Sequence, residues 1–185
     1  MSGDWNSLSL GKRSHVAIVI GLIAIGIILR VVPHPPNFAP ITALALFGGA
    51  VLPKRTGVWL PLVAVIVSDF VIGLHALIPV TWSIFLIIAL FANTQLRGNL
   101  SGGAVLLSSV GASLFFFVVS NLAVWAEGVL YPRTWHGLNS TFVQALPFFR
   151  NTFVGDLFFA GVFFGAYFLA LEVVARTRSH QVQSI

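Results

Sequence analysis

The chain contains no cysteine and little charge. None of its 185 residues is Cys, and only 8% are Asp, Glu, Lys or Arg. Without thiols the chain cannot form a disulfide, a thiolate metal site or a cysteine nucleophile. Soluble domains are about 25% charged, so this composition cannot build a water-exposed surface. Long polar stretches are also missing, which excludes a soluble catalytic domain.

Hydrophobic residues make up 57% of the chain and fall in separate runs. Crossing the hydrocarbon takes about 20 residues as a helix, and five runs meet or approach that length. A sixth run is shorter. The predicted helices are residues 15–32, 40–52, 57–77, 79–96, 102–126 and 152–175. We therefore predict an all-α integral membrane bundle of six transmembrane helices, forming one domain over residues 1–185.

The second predicted helix is preceded by a proline-rich stretch, residues 33–40, which we call the proline segment. Its prolines lack backbone donors, so the segment cannot be regular helix. Backbone of this kind is tolerated at membrane depth only where protein or a water-filled cavity covers it. The segment is therefore predicted to enter the membrane with the short second helix and to line a pocket.

The basic residues predict the orientation of the bundle. Seven of the ten Lys and Arg residues fall on one side if both termini are cytoplasmic. They are Lys12, Arg13, Lys54, Arg55, Arg97, Arg176 and Arg178. The positive-inside rule then favours an N-in, C-in orientation. The net charge of +5 is expected to contact lipid headgroups and not nucleic acid.

The longest predicted connection runs from Glu127 to Asn151, between the fifth and sixth helices. Its part from Asn139 to Phe149 is amphipathic and aromatic, as in segments that lie at a membrane interface. We predict that this connection is an external lid on the bundle.

Polar side chains concentrate in the predicted outer half of the helices and the adjoining loops. Intramembrane ionisable residues are costly and are candidates for function, and a pocket needs apolar walls with a few convergent polar groups. The candidate ligand-binding residues are Arg30, His34, Asn37, Phe38, Asp69, His75, Asn121, Trp125, Arg150, Asn151 and Asp156.

Several of these residues have a structural alternative. Asp69 either contacts a ligand or forms a buried ion pair with Arg30 or Arg150. Asp156, near the start of the predicted sixth helix, could simply be stabilised by the helix dipole. His34 and His75 have no partner at metal-ligand spacing, so no metal or cofactor is predicted.

Other patterns are less specific. Small residues four apart, Ala17 and Gly21, Ala45 and Gly49, and Gly161 and Gly165, permit close helix packing within the bundle or against a partner. The tryptophans are typical interfacial anchors, with stacking on a ligand expected only for Trp125 and Phe38. No catalytic signature is present, and we predict that the protein is not an enzyme.

Ordered motifs add a family resemblance. They are RVVPHPPNFAPITALALFGGA from Arg30, Ser68-Asp69 with His75, Ser120-Asn121 with Val124-Trp125-Ala126, Tyr131-Pro132 with Thr134 and Gly137-Leu138, and ALPFFRNTFVGDL from Ala145. Together they resemble an uncharacterised prokaryotic membrane family that is similar to the S components of energy-coupling-factor vitamin transporters, including solitary vitamin B12 transporters.

The resemblance implies a six-helix bundle with a vitamin pocket near its outer face. It also implies pairing, through small residues of the first helix, with a transmembrane coupling protein and its ATPases. Asp69 and Arg150 match polar positions near the ligand of the B12 group. That group carries a cobalt-binding cysteine beyond the third helix, where this chain has Thr81, Trp82 and Ser83. Either the ligand is not a cobalamin, or a histidine such as His75 replaces the thiolate, or no metal bond forms.

We therefore predict a membrane substrate-binding and transport protein for a vitamin-like small molecule, with cobalamin or another corrinoid as the first candidate. The alternative is an accessory subunit of a larger membrane complex, in which the polar residues are structural.

Overall fold

The computed structural model describes residues 12–183, and the side chains of residues 16–53 and 55–176. All of its regular secondary structure is helical. The helices are α1 (Lys12–Val31), α2 (Ile41–Val51), α3 (Lys54–Ile72), α4 (Ile78–Phe91), α5 (Gly102–Glu127) and α6 (Trp135–Gln183), with a π-helical turn, Ala92–Leu96, continuing α4. The all-helical prediction is confirmed. The side chains of Lys12, Arg13, Lys54 and Arg178, which the orientation argument used, lie outside the described ones.

The short helix α2 lies at the centre of the bundle. All of its 11 residues are buried, and it contacts every other helix. The remaining helices pack in the order α1, α3, α4, α5 and α6 along the bundle. Because neighbouring helices cover every face of α2, its side chains other than Thr42 are apolar all round rather than on one stripe.

Two close backbone approaches hold α2 in place. Gly48 of α2 packs directly on Gly57 of α3, where a Cβ atom on Gly48 would lie 2.6 Å from the Gly57 carbonyl oxygen. Gly49 likewise packs against Ala89 of α4. At the C-terminal end of α2, the Arg97 guanidinium donates hydrogen bonds to the carbonyl oxygens of Gly49 and Leu52. A cation at this end offsets the helix dipole and satisfies carbonyl groups that have no partner within the helix.

Four helices are long and apolar enough to cross a membrane: Arg55–Ile72, Ile78–Leu96, Gly102–Glu127 and Trp135–Arg176. Val16–Val31 and Ile41–Val51 are shorter apolar helices. By length and composition, the fold is consistent with a helical membrane bundle.

The third helix ends earlier than predicted. It stops at Ile72 rather than at residue 77, because Gly73 has a φ of 123° and the chain leaves the helix there. Only glycine adopts this conformation readily. Residues 73–77 instead form the connection to α4.

The sixth helix was predicted to begin at Thr152, and this is wrong. It begins at Trp135 and continues through Pro147, so most of the stretch predicted to be a loop is helical. The Phe117 ring of α5 packs against Phe142 and Phe149, with ring centroids 5.5 and 4.5 Å apart. These contacts hold residues on both sides of Pro147, which cannot donate a helical hydrogen bond, against α5.

Candidate functional site

The candidate site is built around an ion pair between the ends of α1 and α3. The Arg30 guanidinium lies 2.6 Å from the Asp69 carboxylate. The same nitrogen also donates to the Ser68 hydroxyl at 2.6 Å and to the Val65 carbonyl at 3.1 Å. Asp69 is only 1% exposed, so its charge depends on these donors. Arg30, and not Arg150, is therefore the partner of Asp69.

Trp82 of α4 completes this cluster. Its indole nitrogen donates to the second carboxylate oxygen of Asp69 at 2.7 Å. Each oxygen of Asp69 thus accepts a hydrogen bond from a different helix. These partners replace the water that a buried carboxylate loses. The cluster ties α1, α3 and α4 together at one end of the bundle.

A cavity of about 360 Å³, which we call the first cavity, opens beside this ion pair. The proline segment and α2 line it, together with residues from all the other helices. Its polar lining comes from Arg30, His34, Asn37, Thr42, Thr81, Thr152 and Asp156. Val31, Val32, Ile72, Phe85 and Phe116 are among its apolar walls. A few polar groups among apolar walls are typical of small-molecule sites, and this volume lies within their usual range.

Asp156 of α6 forms a second polar cluster in this cavity. It is 2% exposed, and its carboxyl oxygen lies 2.6 Å from the Ser113 hydroxyl of α5. Thr42 of α2 also lines the cavity, and its hydroxyl faces this carboxyl group. The two buried aspartates therefore differ: Asp69 is held by a cation, whereas Asp156 is held by two hydroxyl groups.

The proline segment is held at the mouth of the cavity by its ends. The ring nitrogens of His34 lie 3.1 Å from the Arg30 carbonyl and 2.8 Å from the Pro35 carbonyl. The Asn151 side chain of α6 donates to the Pro36 carbonyl at 3.1 Å. Asn37 has a φ of 63°, a left-handed conformation that Asn tolerates better than most residues. These contacts give the segment a defined path without helical hydrogen bonds.

A smaller cavity of about 240 Å³, the second cavity, lies between α5 and α6. Asn37, Phe116 and Thr152 line both cavities and form the wall between them. Asn121 lines the second cavity, where its amide donates to its own helix at the Phe117 carbonyl, at 2.7 Å. The two cavities together follow the junction of α6 with the proline segment and α5.

Six of the predicted site residues line neither cavity: Asp69 and Asn151, which lie behind the lining, and four others. His75 is exposed in the connection between α3 and α4, and Arg150 is exposed on α6. The Trp125 indole donates to the Thr134 carbonyl at 3.2 Å and fixes the turn before α6. Phe38 packs against Phe159, with centroids 5.4 Å apart, and so belongs to the helix packing. The site thus retains Arg30, His34, Asn37, Asn121 and Asp156 as lining residues, with Asp69 and Asn151 behind them.

Sequence reasoning missed the hydroxyl groups of the site. Thr42, Thr81, Ser113 and Thr152 carry no charge and lie within apolar runs. A helical Ser or Thr ordinarily bonds its own preceding turn, so nothing in the sequence marks these four as different. Trp82 was assigned as an interfacial anchor, and only the fold brings its indole to Asp69.

Within the described residues, no group of three or more His, Cys, Asp or Glu side chains could hold a metal ion. No curated protein and no solved structure matches the chain. A family model does match it, over residues 11–180. Since that match covers nearly the whole sequence, the chain belongs to the family of unknown function DUF6580.

Proposed function

We propose that this protein is a multi-pass protein of the bacterial inner membrane that binds a vitamin-like small molecule and takes part in its uptake. The observation that carries the proposal is the first cavity. It lies at one end of an apolar bundle, measures about 360 Å³ and is lined by seven polar side chains, among them the buried Thr42, Thr152 and Asp156. A bundle that served only as packing would gain nothing from keeping such a cavity, because unfilled space lowers stability.

The charge distribution supports an outward-facing cavity. Arg97 lies at the C-terminal end of α2, whereas the cavity lies at its N-terminal end, around Ile41 and Thr42. Arg97 is among the residues that the positive-inside rule assigns to the cytoplasm. With N-in, C-in topology, the first cavity faces the periplasm, where a ligand would enter.

The proposed topology needs α2 and the proline segment to make one crossing together. At 1.5 Å per residue, α2 is only roughly 16 Å long, about half the hydrocarbon thickness. Its side chains touch protein on all sides, so it does not need to match the lipid. The proline segment supplies the remaining length next to a polar cavity, where non-helical backbone is tolerated.

The cavity volume favours ligands smaller than a corrinoid. A vitamin with one or two small rings fits within about 360 Å³. A corrinoid is larger and would need both cavities, which requires Asn37, Phe116 and Thr152 to move apart. We propose that the N-terminal part of α6, before Pro147, acts as the external lid, since Ala145 of this part lines the second cavity. Smaller vitamins are therefore the first ligands to test, and cobalamin is tested beside them.

We also propose the partner that the family resemblance implies, a transmembrane coupling protein with its ATPases. The small-residue face of α1 is its docking surface in this proposal. A Cβ atom on Gly21 would meet no atom within 4 Å, so this face is open. By contrast, Gly49 is fully used within the bundle against Ala89.

The binding proposal is tested by thermal unfolding of the purified protein in detergent against a panel of vitamins that includes cobalamin. A ligand at 100 times its Kd should stabilise the protein by about 2.7 kcal/mol. Thr81→Phe should abolish this stabilisation, because Thr81 lines the first cavity and its hydroxyl only bonds its own helix at Leu77.

Ser83→Phe is the matched control. Ser83 is two residues away on the same helix, and its hydroxyl also bonds the preceding turn, at Pro79. It lies outside both cavities, so ligand stabilisation should persist in this variant. The proposal fails if no vitamin stabilises the wild type, or if stabilisation survives Thr81→Phe.

The rival function, an accessory subunit, is favoured by the closed ion pair of Arg30 and Asp69. That pair needs no ligand to be satisfied. Stoichiometric recovery in a larger complex, with complex activity unchanged by Thr81→Phe, would support this rival.

A further inference from the structure

Asp156 stands out because it is buried without a cation. Among the residues whose side chains are described, the ion pairs are Arg30 with Asp69 and Arg176 with Glu172. Asp156 belongs to neither. An ionised carboxylate in an apolar interior is costly unless a charge or several donors compensate it. Its neighbours supply only the hydroxyl groups of Ser113 and Thr42.

If Asp156 is ionised, Ser113 has two acceptors within reach and one hydrogen to donate. The Ser113 oxygen lies 2.6 Å from the Asp156 carboxyl oxygen and 3.0 Å from the Ser109 carbonyl oxygen. Both are contacts in which Ser113 would donate, but a hydroxyl group has a single hydrogen. A proton on Asp156 resolves this. Asp156 then donates to Ser113, and Ser113 donates to Ser109.

The charged groups around Asp156 do not change this count of hydrogens. Helix α2 carries no titratable residue, and α5 carries only Glu127, at its C-terminal end. Arg30 lines the same cavity, but its guanidinium is bound by Asp69. His34, from the proline segment, also lines the cavity, and its ring nitrogens face the carbonyl oxygens of Arg30 and Pro35.

We propose that Asp156, with Ser113 and Thr42, is a proton-binding site that exchanges its proton for a monovalent cation in the first cavity. The carboxylic acid releases one proton as the cation enters, and the resulting carboxylate and the cation form a neutral pair. Among the described residues, Asp156 is the only acidic side chain that lines the cavity, and Arg30 is already neutralised by Asp69. The cation is either an inorganic ion or the cationic group of the transported molecule. In the latter case the inference rests on the proposed function and makes the ligand a small organic cation.

Infrared difference spectroscopy tests the proton directly, without a known ligand. At neutral pH the wild type should show the C=O stretching band of a carboxylic acid, and Asp156→Asn should lack it. Glu172→Gln is the control, because Glu172 is exposed, paired with Arg176 and outside the first cavity; it should keep the band. Ser113→Ala should shift the band to higher frequency, since the carboxyl group loses a hydrogen-bond partner. This variant provides the readout if Asp156→Asn does not fold.

Proton release tests the exchange. Sodium chloride, ammonium chloride and thiamine, a cationic vitamin, are added separately to weakly buffered protein. Release of about one proton per chain in the wild type and none in Asp156→Asn is the expected result. Release with sodium or ammonium indicates an inorganic ion, and release with thiamine alone indicates an organic cation.

Absence of the carboxylic acid band, or a band unaffected by both Asp156→Asn and Ser113→Ala, would overturn the inference even if a vitamin binds. Proton release that is equal in wild type and Asp156→Asn would also overturn it, as would release by none of the three cations. A band that behaves as expected, together with inorganic exchange and no vitamin binding, would instead refute the proposed function alone.

Discussion

The Arg30 guanidinium and the Asp69 carboxylate lie 2.6 Å apart and join the C-terminal ends of α1 and α3. Removing one member of such a pair leaves an uncompensated buried charge, which typically costs about 3–5 kcal/mol. We expect Arg30→Ala to lower the unfolding temperature strongly in detergent. The double variant Arg30→Met, Asp69→Leu should recover much of the loss, because neither charge remains.

The control for this prediction is the second ion pair. Arg176 and Glu172 also pair, one turn apart on α6, but their side chains are 75% and 55% exposed. Exposed pairs contribute about 0–1 kcal/mol, so Glu172→Gln should leave the unfolding temperature nearly unchanged. Equal effects of Arg30→Ala and Glu172→Gln would contradict the importance of burial.

The Trp82 indole should stabilise the folded protein through its hydrogen bond as well as through the packing of its ring. Trp82→Phe removes the donor to Asp69 and keeps an aromatic ring. Hydrogen bonds to charged groups are worth about 1.5–3 kcal/mol, and a loss of this size is expected in thermal or denaturant unfolding. Trp59→Phe is the control, because Trp59 is 60% exposed, and it should have little effect.

The crossing of α2 and α3 should not tolerate a methyl group. Gly57→Ala forces the new Cβ atom into the Gly48 carbonyl group, and the two helices must separate. Overpacking of this kind costs about 1–3 kcal/mol. Gly161→Ala is the matched substitution on α6, where no atom lies within 4 Å of the added Cβ. A similar loss of stability in both variants would show that the crossing is looser than described.

The N-terminal part of α6 should depend on its contact with α5. Phe149→Ala removes the closest aromatic contact of Phe117, at 4.5 Å between centroids. We expect hydrogen exchange of the backbone before Pro147 to become faster. Beyond Asp156 the exchange rate should change less, or not at all. Exchange that accelerates evenly along α6 would instead indicate that the helix opens as one unit and does not contain a separate lid.

The main features of the fold follow from the sequence because a long apolar run has few structural alternatives. The number and order of the helices, the short second helix and the non-helical proline segment were predicted in this way. The start of α6 was not, since Pro147 and the polar residues around Asn139 indicate a loop. The contact of Phe117 with Phe142 and Phe149 decides the outcome, and it joins residues far apart in the chain.

The site was predictable in its charged residues and not in its neutral ones. Arg30, Asp69 and Asp156 were identified because charge inside an apolar run is conspicuous. Which arginine pairs with Asp69 depends on the packing of α1 on α3, so the sequence left Arg30 and Arg150 as alternatives. Ser113 and Thr42 could not be identified, because hydroxyl groups in apolar helices are common and usually bond only their own backbone.

The burial of α2 has a consequence for biogenesis. Helix α2 is the second helix to be synthesised. Its Phe47 is nevertheless covered by residues of α6, the last helix to be synthesised: Phe163, Phe164 and Tyr167. Until then α2 is an apolar helix too short to settle across a bilayer and without its protein neighbours. The nascent bundle must therefore stay open between its early and late helices, and truncation before α6 should leave a chain recognised by membrane quality control.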